Sequence, residues 1–561
     1  MPYLRLTLAV RRKIDGRPFR VHTGVAVLNT SSILTSLMLV PCLGGLAILA
    51  LPPGQARRAR PVALAVALLT FLLSLLAASW FDWTRVSYAA TDAHSIQLAF
   101  RFPWIPSLGA QYFVGVDGIS LPLVLLTTAV SLVACWASYG VTKSPKAYFA
   151  LLLFLLAGMI GTFISLDLLL FYVFFEVSLF PMYFLIGIWG GPRKEYAAIK
   201  FFLYTLLGSI GILIAILGIY FYTRGMGPGG PNAGVFDVIR LATDPALHSR
   251  FMEGGRAAAF GNAAFWLLFV GFAVKIPAVP LHTWLPDAHV EAPTPVSMIL
   301  AAVLLKMGAY GLLRISYPIF SAQAADNWFW VGLIGVVSIV YGAFVALAQR
   351  DFKRLVAYSS VSHMGYVLLG LAVINSTATA GALFQMLAHG ISSAMMFFIV
   401  GVLYDRAHHR DIPKLGGLWS SMPTYTGWAA VGFFASMGLP GLCGFVGELL
   451  VLLGVFSAAD PHGFLARHSF SVIGVTGPLL WFGALAAGTI VITAAYHLWT
   501  LQRVYMGAPK PEHQNFARLT GSEKWILAIL GLSAIALGVL PALVLEPLRP
   551  AVEGLMRLVT G

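Results

Sequence analysis

The chain has 561 residues, of which 59% are hydrophobic and 10% charged, against roughly 25% charged in an average soluble domain. Its mean hydropathy of +0.83 leaves too little polar surface to cover a water-facing sphere, so lipid solvates most side chains and a soluble globular protein is excluded. The net charge of +14 lies in short Lys/Arg clusters between apolar runs, which is the positive-inside pattern of a polytopic membrane protein rather than a nucleic-acid-binding surface.

Residues 1–29 hold Arg5, Arg11, Arg12, Lys13, Arg17 and Arg20. They lack the apolar core and cleavage site of a signal peptide and form an extension without an assigned role. Apolar stretches of spanning length then predict an all-α fold with about fourteen transmembrane helices. They fall near 30–51, 61–80, 118–139, 147–165, 167–188, 198–223, 262–283, 293–316, 327–349, 355–373, 379–404, 425–456, 478–505 and 524–545. Loops after odd-numbered spans carry the cations: Arg57, Arg58 and Arg60; Lys143 and Lys146; Arg193 and Lys194; Arg350, Lys353 and Arg354; Arg406, Arg410 and Lys414; and Arg503 to Lys524. These loops are expected in the cytoplasm. Both termini and the long connections 81–117 and 224–261 are expected outside. Cys42, Cys135 and Cys443 have no spacing that suggests a disulfide framework or a metal site.

Two spans are interrupted alike, at Lys275-Ile276-Pro277-Ala278-Val279-Pro280 and at Met437-Gly438-Leu439-Pro440-Gly441. Proline removes a backbone donor, and such breaks survive at membrane depth only where protein or a wet cavity satisfies the freed groups. The breaks are an odd number of spans apart, which fits two inverted five-helix repeats, each with a broken helix, over 147–316 and 327–505. Three helices in 30–146 precede them, and 524–545 adds the last.

Four ionisable residues fall inside apolar spans: Glu176, Lys275, Lys306 and Glu448. A charge at a helix centre costs about 2.5–3.5 kcal/mol on insertion scales, so function is the default reading of each. Lys200, Arg314 and Asp167 lie nearer span ends, where snorkelling or interfacial pairing accounts for them. His363 and His389 sit mid-span, and histidine as a residue type ordinarily titrates near neutrality, which suits proton transfer through ordered water. His282, His289, His408 and His409 read as surface residues. There is no glycine-rich nucleotide loop, no CxxC, no water-exposed domain to hold a flavin and no tight metal-ligand cluster, so redox chemistry is expected on other chains.

The stretch from Lys275 through Leu281-His282-Thr283-Trp284-Leu285-Pro286-Asp287-Ala288-His289-Val290-Glu291-Ala292-Pro293-Thr294-Pro295 to Ser297, with Leu304-Leu305-Lys306-Met307-Gly308 after it, closely resembles the antiporter-like membrane subunits of respiratory complex I. Asp351-Phe352-Lys353-Arg354-Leu355 through His363, and Phe175-Glu176, extend the likeness over roughly 30–545, leaving the first residues outside it. The resemblance implies a glutamate–lysine pair at Glu176 and Lys275 and a central lysine at Lys306. It also implies a twelfth-helix group that is lysine in L- and N-type subunits and in sodium/proton antiporter subunits, but glutamate in a third type; here it is Glu448.

The expectation is therefore a proton relay through Glu176, Lys275, Lys306, His363, His389 and Glu448. In this order the proton rests on Lys306, passes His363, then His389, and reaches Glu448. No cofactor is expected on this chain; NADH, FMN, iron–sulfur clusters and quinone would sit on other subunits. L- and N-type subunits, lipid and protons would be its partners, in the inner cell membrane. The alternatives are a cation/proton (Mrp-type) antiporter subunit and the membrane subunit of a proton-pumping hydrogenase.

Overall fold

The computed structural model describes residues 32–85, 96–252, 255–459, 464–465, 477–514 and 516–560. The extension 1–29 lies outside them. With no water in the hydrocarbon layer, each crossing segment must pair its own backbone groups, and only a helix does this within one segment. Among the described residues thirteen helices are long and apolar enough to cross a membrane. A further crossing is divided into two shorter helices at the second predicted break.

The crossings, in chain order, are α1 (Ile33–Ala50), α2 (Ala59–Ser79), α3 (Ser120–Ala137), α4 (Pro145–Ile164), the pair α5 (Leu168–Val177) and α6 (Leu179–Trp189), and α7 (Lys194–Tyr222). Next come α8 (Arg256–Lys275) with the short α9 (Trp284–Glu291), then α10 (Thr294–Ile319), α11 (Trp328–Leu347), α12 (Phe352–Ala372) and α13 (Ser376–Ala407). The broken pair α14 (Pro423–Ser436) and α15 (Cys443–Ala458), then α16 (Pro478–Tyr505) and α17 (Gly521–Val539), complete the set. Burial sorts them. The apolar stretch of α10 is wholly buried and those of α12 and α13 are 94% buried, whereas α7 and α16 bury 39%. The central helices are thus the ones carrying Lys306, His363 and His389.

Both breaks are present, and their backbone groups find partners. After α8, the carbonyl of Val274 accepts from Trp284 Nε1 at 2.9 Å, and the Val279 N–H donates to Ser338 Oγ at 3.0 Å. Between α14 and α15, Gly438 has φ +78°, and a Cβ there would lie 3.1 Å from Glu448 Oε2. Glycine is required at that position both for its conformation and for the approach of the carboxylate.

A backbone clamp occurs twice. Leu168 N–H donates to Phe236 O at 2.8 Å and Val238 N–H to Leu166 O at 2.9 Å; Phe352 N–H donates to Arg410 O at 2.9 Å and Ile412 N–H to Arg350 O at 2.8 Å. Each surrounds an aspartate, Asp167 or Asp351, that caps the helix after it. The two clamps stand at opposite ends of the bundle, one beside the hairpin described next and one among the cation-rich loops.

Two elements lie beyond the sequence reading. Strands β1 (Gln97–Ile105) and β2 (Ala110–Val116) pair antiparallel within the 81–117 connection. An amphipathic helix α18 (Ala542–Thr560) follows α17, burying Leu548, Val552, Leu555 and Val559. Arg314 also departs from the interfacial reading. It is wholly buried and bonds Asp117 at 2.5 Å, both side chains being 1% exposed. Burying one of these charges alone would be costly, so they are buried as a pair.

Candidate functional site

The site begins where the fifth crossing is interrupted. Ser178 Oγ bonds the Phe175 carbonyl and separates α5 from α6, leaving Glu176 half-buried in the last turn of α5. Lys275 is the last residue of α8, and its ammonium points to the same turn. It donates to the Phe175 carbonyl at 3.0 Å and lies 3.4 Å from the centre of the Phe175 ring. The expected Glu176–Lys275 ion pair is therefore not in contact. Lys275 instead bonds the backbone one residue earlier, and Glu176 Oε1 has no hydrogen-bond partner among the described residues. The two charges remain within electrostatic reach of each other.

Lys306 lies at the centre of α10, between two π-helical turns, Leu300–Leu304 and Leu312–Ser316. Such turns are widened, and this one brings the Ala301 carbonyl to the Lys306 ammonium at 2.6 Å. The other contact of Lys306 is His389 Nδ1 at 2.7 Å, from α13. With Lys306 charged, Nδ1 accepts and the imidazole proton sits on Nε2. The His389 and His363 ring centres are 5.6 Å apart. His363 Nδ1 then meets Glu448 Oε1 at 2.9 Å, and His363 Nε2 faces Ser436 Oγ at 3.4 Å. Gln385 donates to the same carboxylate oxygen at 3.4 Å.

The spatial order is thus Lys306, His389, His363, Glu448. The order of the two histidines is the reverse of that expected from sequence, because α13 packs against α10 while α12 faces the second break. All four residues are no more than 3% exposed. A line of titratable groups at these distances, linked by one gap that water can bridge, can pass a proton without a bare charge crossing hydrocarbon.

His282 and His289 require correction. Neither is on the surface: His282 is 3% exposed and His289 fully buried, and neither ring has a hydrogen-bond partner among the described residues. The chain after the first break stays inside the protein as α9, so a segment whose composition reads as a loop is lined by protein on all sides. His289 stacks on Phe397 with ring centres 4.2 Å apart and lies within electrostatic reach of both Lys306 and Lys353. Lys353 lines a cavity of 360 Å³ that opens among the cation-rich loops, together with Tyr139, Glu291, Asp405 and Arg410. On the other flank of α9, Asp287 holds Lys200 at 2.7 Å and Arg354 at 3.3 Å, joining α7 to α12. Signals for these residues existed in the sequence only as polar side chains in a proline-rich stretch.

A family model described as the transmembrane region of NADH:quinone oxidoreductase and Mrp antiporter subunits matches residues 165–474. An NADH-quinone oxidoreductase subunit M from Rhodobacter capsulatus is 40% identical over 535 residues, covering 94% of this chain and 96% of that one. Among solved structures, a chain of respiratory complex I from Thermus thermophilus superposes with a TM-score of 0.78 at 29% identity, covering 94% of this chain and all 100% of its own. A chain of the Mrp complex from Dietzia sp. DQ12-45-1b shares the fold, with a TM-score of 0.76 at 20% identity over 95% of this chain and 99% of its own. This chain belongs to the NADH:quinone oxidoreductase/Mrp antiporter family of membrane subunits.

Proposed function

We propose that this chain translocates protons as the M-type subunit in the membrane arm of an NADH:quinone oxidoreductase, through Glu176, Lys275, Lys306, His389, His363 and Glu448. The observation that carries this reading is the pair of direct contacts, Lys306 to His389 at 2.7 Å and His363 to Glu448 at 2.9 Å, with their imidazoles 5.6 Å apart. NADH, FMN, iron–sulfur clusters and quinone belong to other subunits, and L- and N-type subunits flank this one in the cell membrane. The cation-rich loops are cytoplasmic by the positive-inside rule, and both termini are outside. The twin backbone clamps, at opposite ends of the bundle, support two inverted repeats over 147–316 and 327–505.

A proton enters through the cytoplasmic cavity, passes His289 and loads Lys306. Lys275 sets how firmly it is held. While its ammonium bonds the Phe175 carbonyl it stands apart from the Glu176 carboxylate; a change of rotamer brings it to Glu176. An ion pair at 4 Å is worth about 4 kcal/mol at the effective dielectric of a protein surface. That exceeds the roughly 2.3 kcal/mol needed to move one charge against 100 mV. The opening and closing of the pair is therefore large enough to drive the step in which Lys306 gives its proton to His389 and on to Glu448, which releases it outward.

Glu448→Gln tests the exit. In the assembled complex in proteoliposomes, protons moved per NADH fall and Glu448→Asp restores most of the loss; full translocation by the glutamine variant would contradict the assignment.

A further inference from the structure

α14 carries Tyr425, Ala429, Phe433 and Ser436 at spacings of four, four and three residues, so they share one helix face. That face is buried, against α13 and α16 and, through Phe352 and His363, α12. Ser436 meets His363, as described. The Phe433 ring contacts two residues of α16, with centroids 5.8 Å from His497 and 5.9 Å from Tyr505. The hydroxyls of Tyr425 and Tyr505 are 3.2 Å apart, and Tyr425 donates to the Ile399 carbonyl at 2.9 Å, so Tyr505 is the donor within the pair. Tyr425 in turn lies within electrostatic reach of Arg406 and Glu523. These two form an ion pair of 2.8 Å at the cation-rich end of the bundle, where Tyr139 also bonds Glu523 at 3.1 Å.

His497 has no place in the relay so far, although it is wholly buried in the transmembrane part of α16. Its Nδ1 bonds the Thr493 carbonyl at 2.8 Å, so Nδ1 carries the proton and Nε2 is left with a bare lone pair. Nε2 has no hydrogen-bond partner among the described residues, and neither has the hydroxyl of the adjacent Tyr496. Packing alone would favour an apolar residue here, because a bare acceptor in a low-dielectric interior is destabilising. The charged and titratable groups around the ring are His363 from α12 and Tyr496 from its own helix, with Phe433 of α14 against its edge.

We propose that His497 is a second proton carrier, which supplies the His363–Glu448 pair from the cytoplasmic end through the Tyr425–Tyr505 hydroxyls, with the Phe433 ring as the barrier between those hydroxyls and the imidazole. This rests on the relay reading of Glu448. Nε2 accepts a proton delivered from water by the hydroxyl pair and forms an imidazolium. The imidazolium returns that proton, by way of His363, to the Glu448 carboxylate and reverts to its Nδ1–H form. Only N–H and O–H bonds change, and one proton moves per cycle. The route joins the relay beyond Lys306, and Phe433 holds it too slow to replace the Lys306 step or to short-circuit the membrane.

The test is passive proton leak in proteoliposomes of the intact complex, under an imposed pH gradient and without NADH. Phe433→Ala raises the leak about tenfold, as lowering a barrier by about 1.4 kcal/mol would. Adding His497→Gln, which keeps a donor for Thr493 and holds no proton to pass on, returns the leak to the starting level. Tyr505→Phe in the Phe433→Ala background does the same. Should Phe433→Ala fail to assemble, Phe433→Val is the second variant. A leak that persists without His497, or no leak from either Phe433 variant, would overturn the proposal. Because no turnover is involved, these outcomes are separate from loss or retention of pumping by Glu448→Gln, which judges the relay itself.

Discussion

Lys306→Met lowers NADH-driven proton translocation through this subunit about a hundredfold, the rate factor that corresponds to a charge left to cross the bilayer centre at about 2.5–3.5 kcal/mol without a titratable host. Methionine matches the length of the lysine stem and fills the same fully buried site on α10, so the loss reads chemistry rather than packing. Lys306→Arg separates charge from proton transfer. The guanidinium keeps the positive charge but does not release its proton, so it too loses translocation. Both variants keep oxidation of NADH by an artificial acceptor, because the proposed function places the redox groups on other subunits. The measurement is proton uptake against NADH consumed in proteoliposomes, and normal coupling in either variant would remove Lys306 from the route.

Glu176→Gln is the second large effect. It leaves Lys275 with the Phe175 carbonyl and ring as its partners and no carboxylate to turn to. If half of the roughly 4 kcal/mol available to the closed pair is used in turnover, quinone-coupled proton pumping falls about thirtyfold. Lys200→Ala serves as the comparison. Its partner Asp287 keeps Arg354 at 3.3 Å, and Lys200 is partly exposed, so the change costs at most about fivefold, as for other exposed ion pairs. Equal losses in the two variants, measured by the same proton-to-NADH ratio, would contradict a switching role for Glu176.

The crossings were legible because lipid imposes a length and a composition that few other environments do, and the two breaks because Pro277, Pro280 and Gly438 have no place in an uninterrupted span. The buried charges were legible for the same reason: Lys306 and Glu448 are too deep to reach an interface. What pairs with what was not. The contact of Lys275 with a backbone carbonyl, and the order in which α13 and α12 present His389 and His363, depend on how distant helices rotate against each other. The burial of His289 was hidden because α9 is short, contains Pro286 and is flanked by Pro280 and Pro293, and so resembles a surface turn. Pro547 and Pro550 hid α18 similarly, although both lie within a helix whose apolar face is packed on the bundle. His497 stood in a run of spanning hydrophobicity with no second charge near it in sequence, and only the fold brings Phe433 and His363 to it.

Ordered water in a density map of the intact complex, fine enough to resolve single molecules, tests the central claim most directly. Buried waters bind where two to four polar groups converge, and Glu176 Oε1, His289, His389 Nε2 and Gln385 Oε1 each offer a buried atom without a hydrogen-bond partner among the described residues. The account requires water between His289 and Lys306 and between His389 and His363, forming a hydrated line from the cavity among the cation-rich loops to Glu448. Apolar side chains closing both gaps, with Lys306 and Glu448 in separate dry pockets, would contradict it.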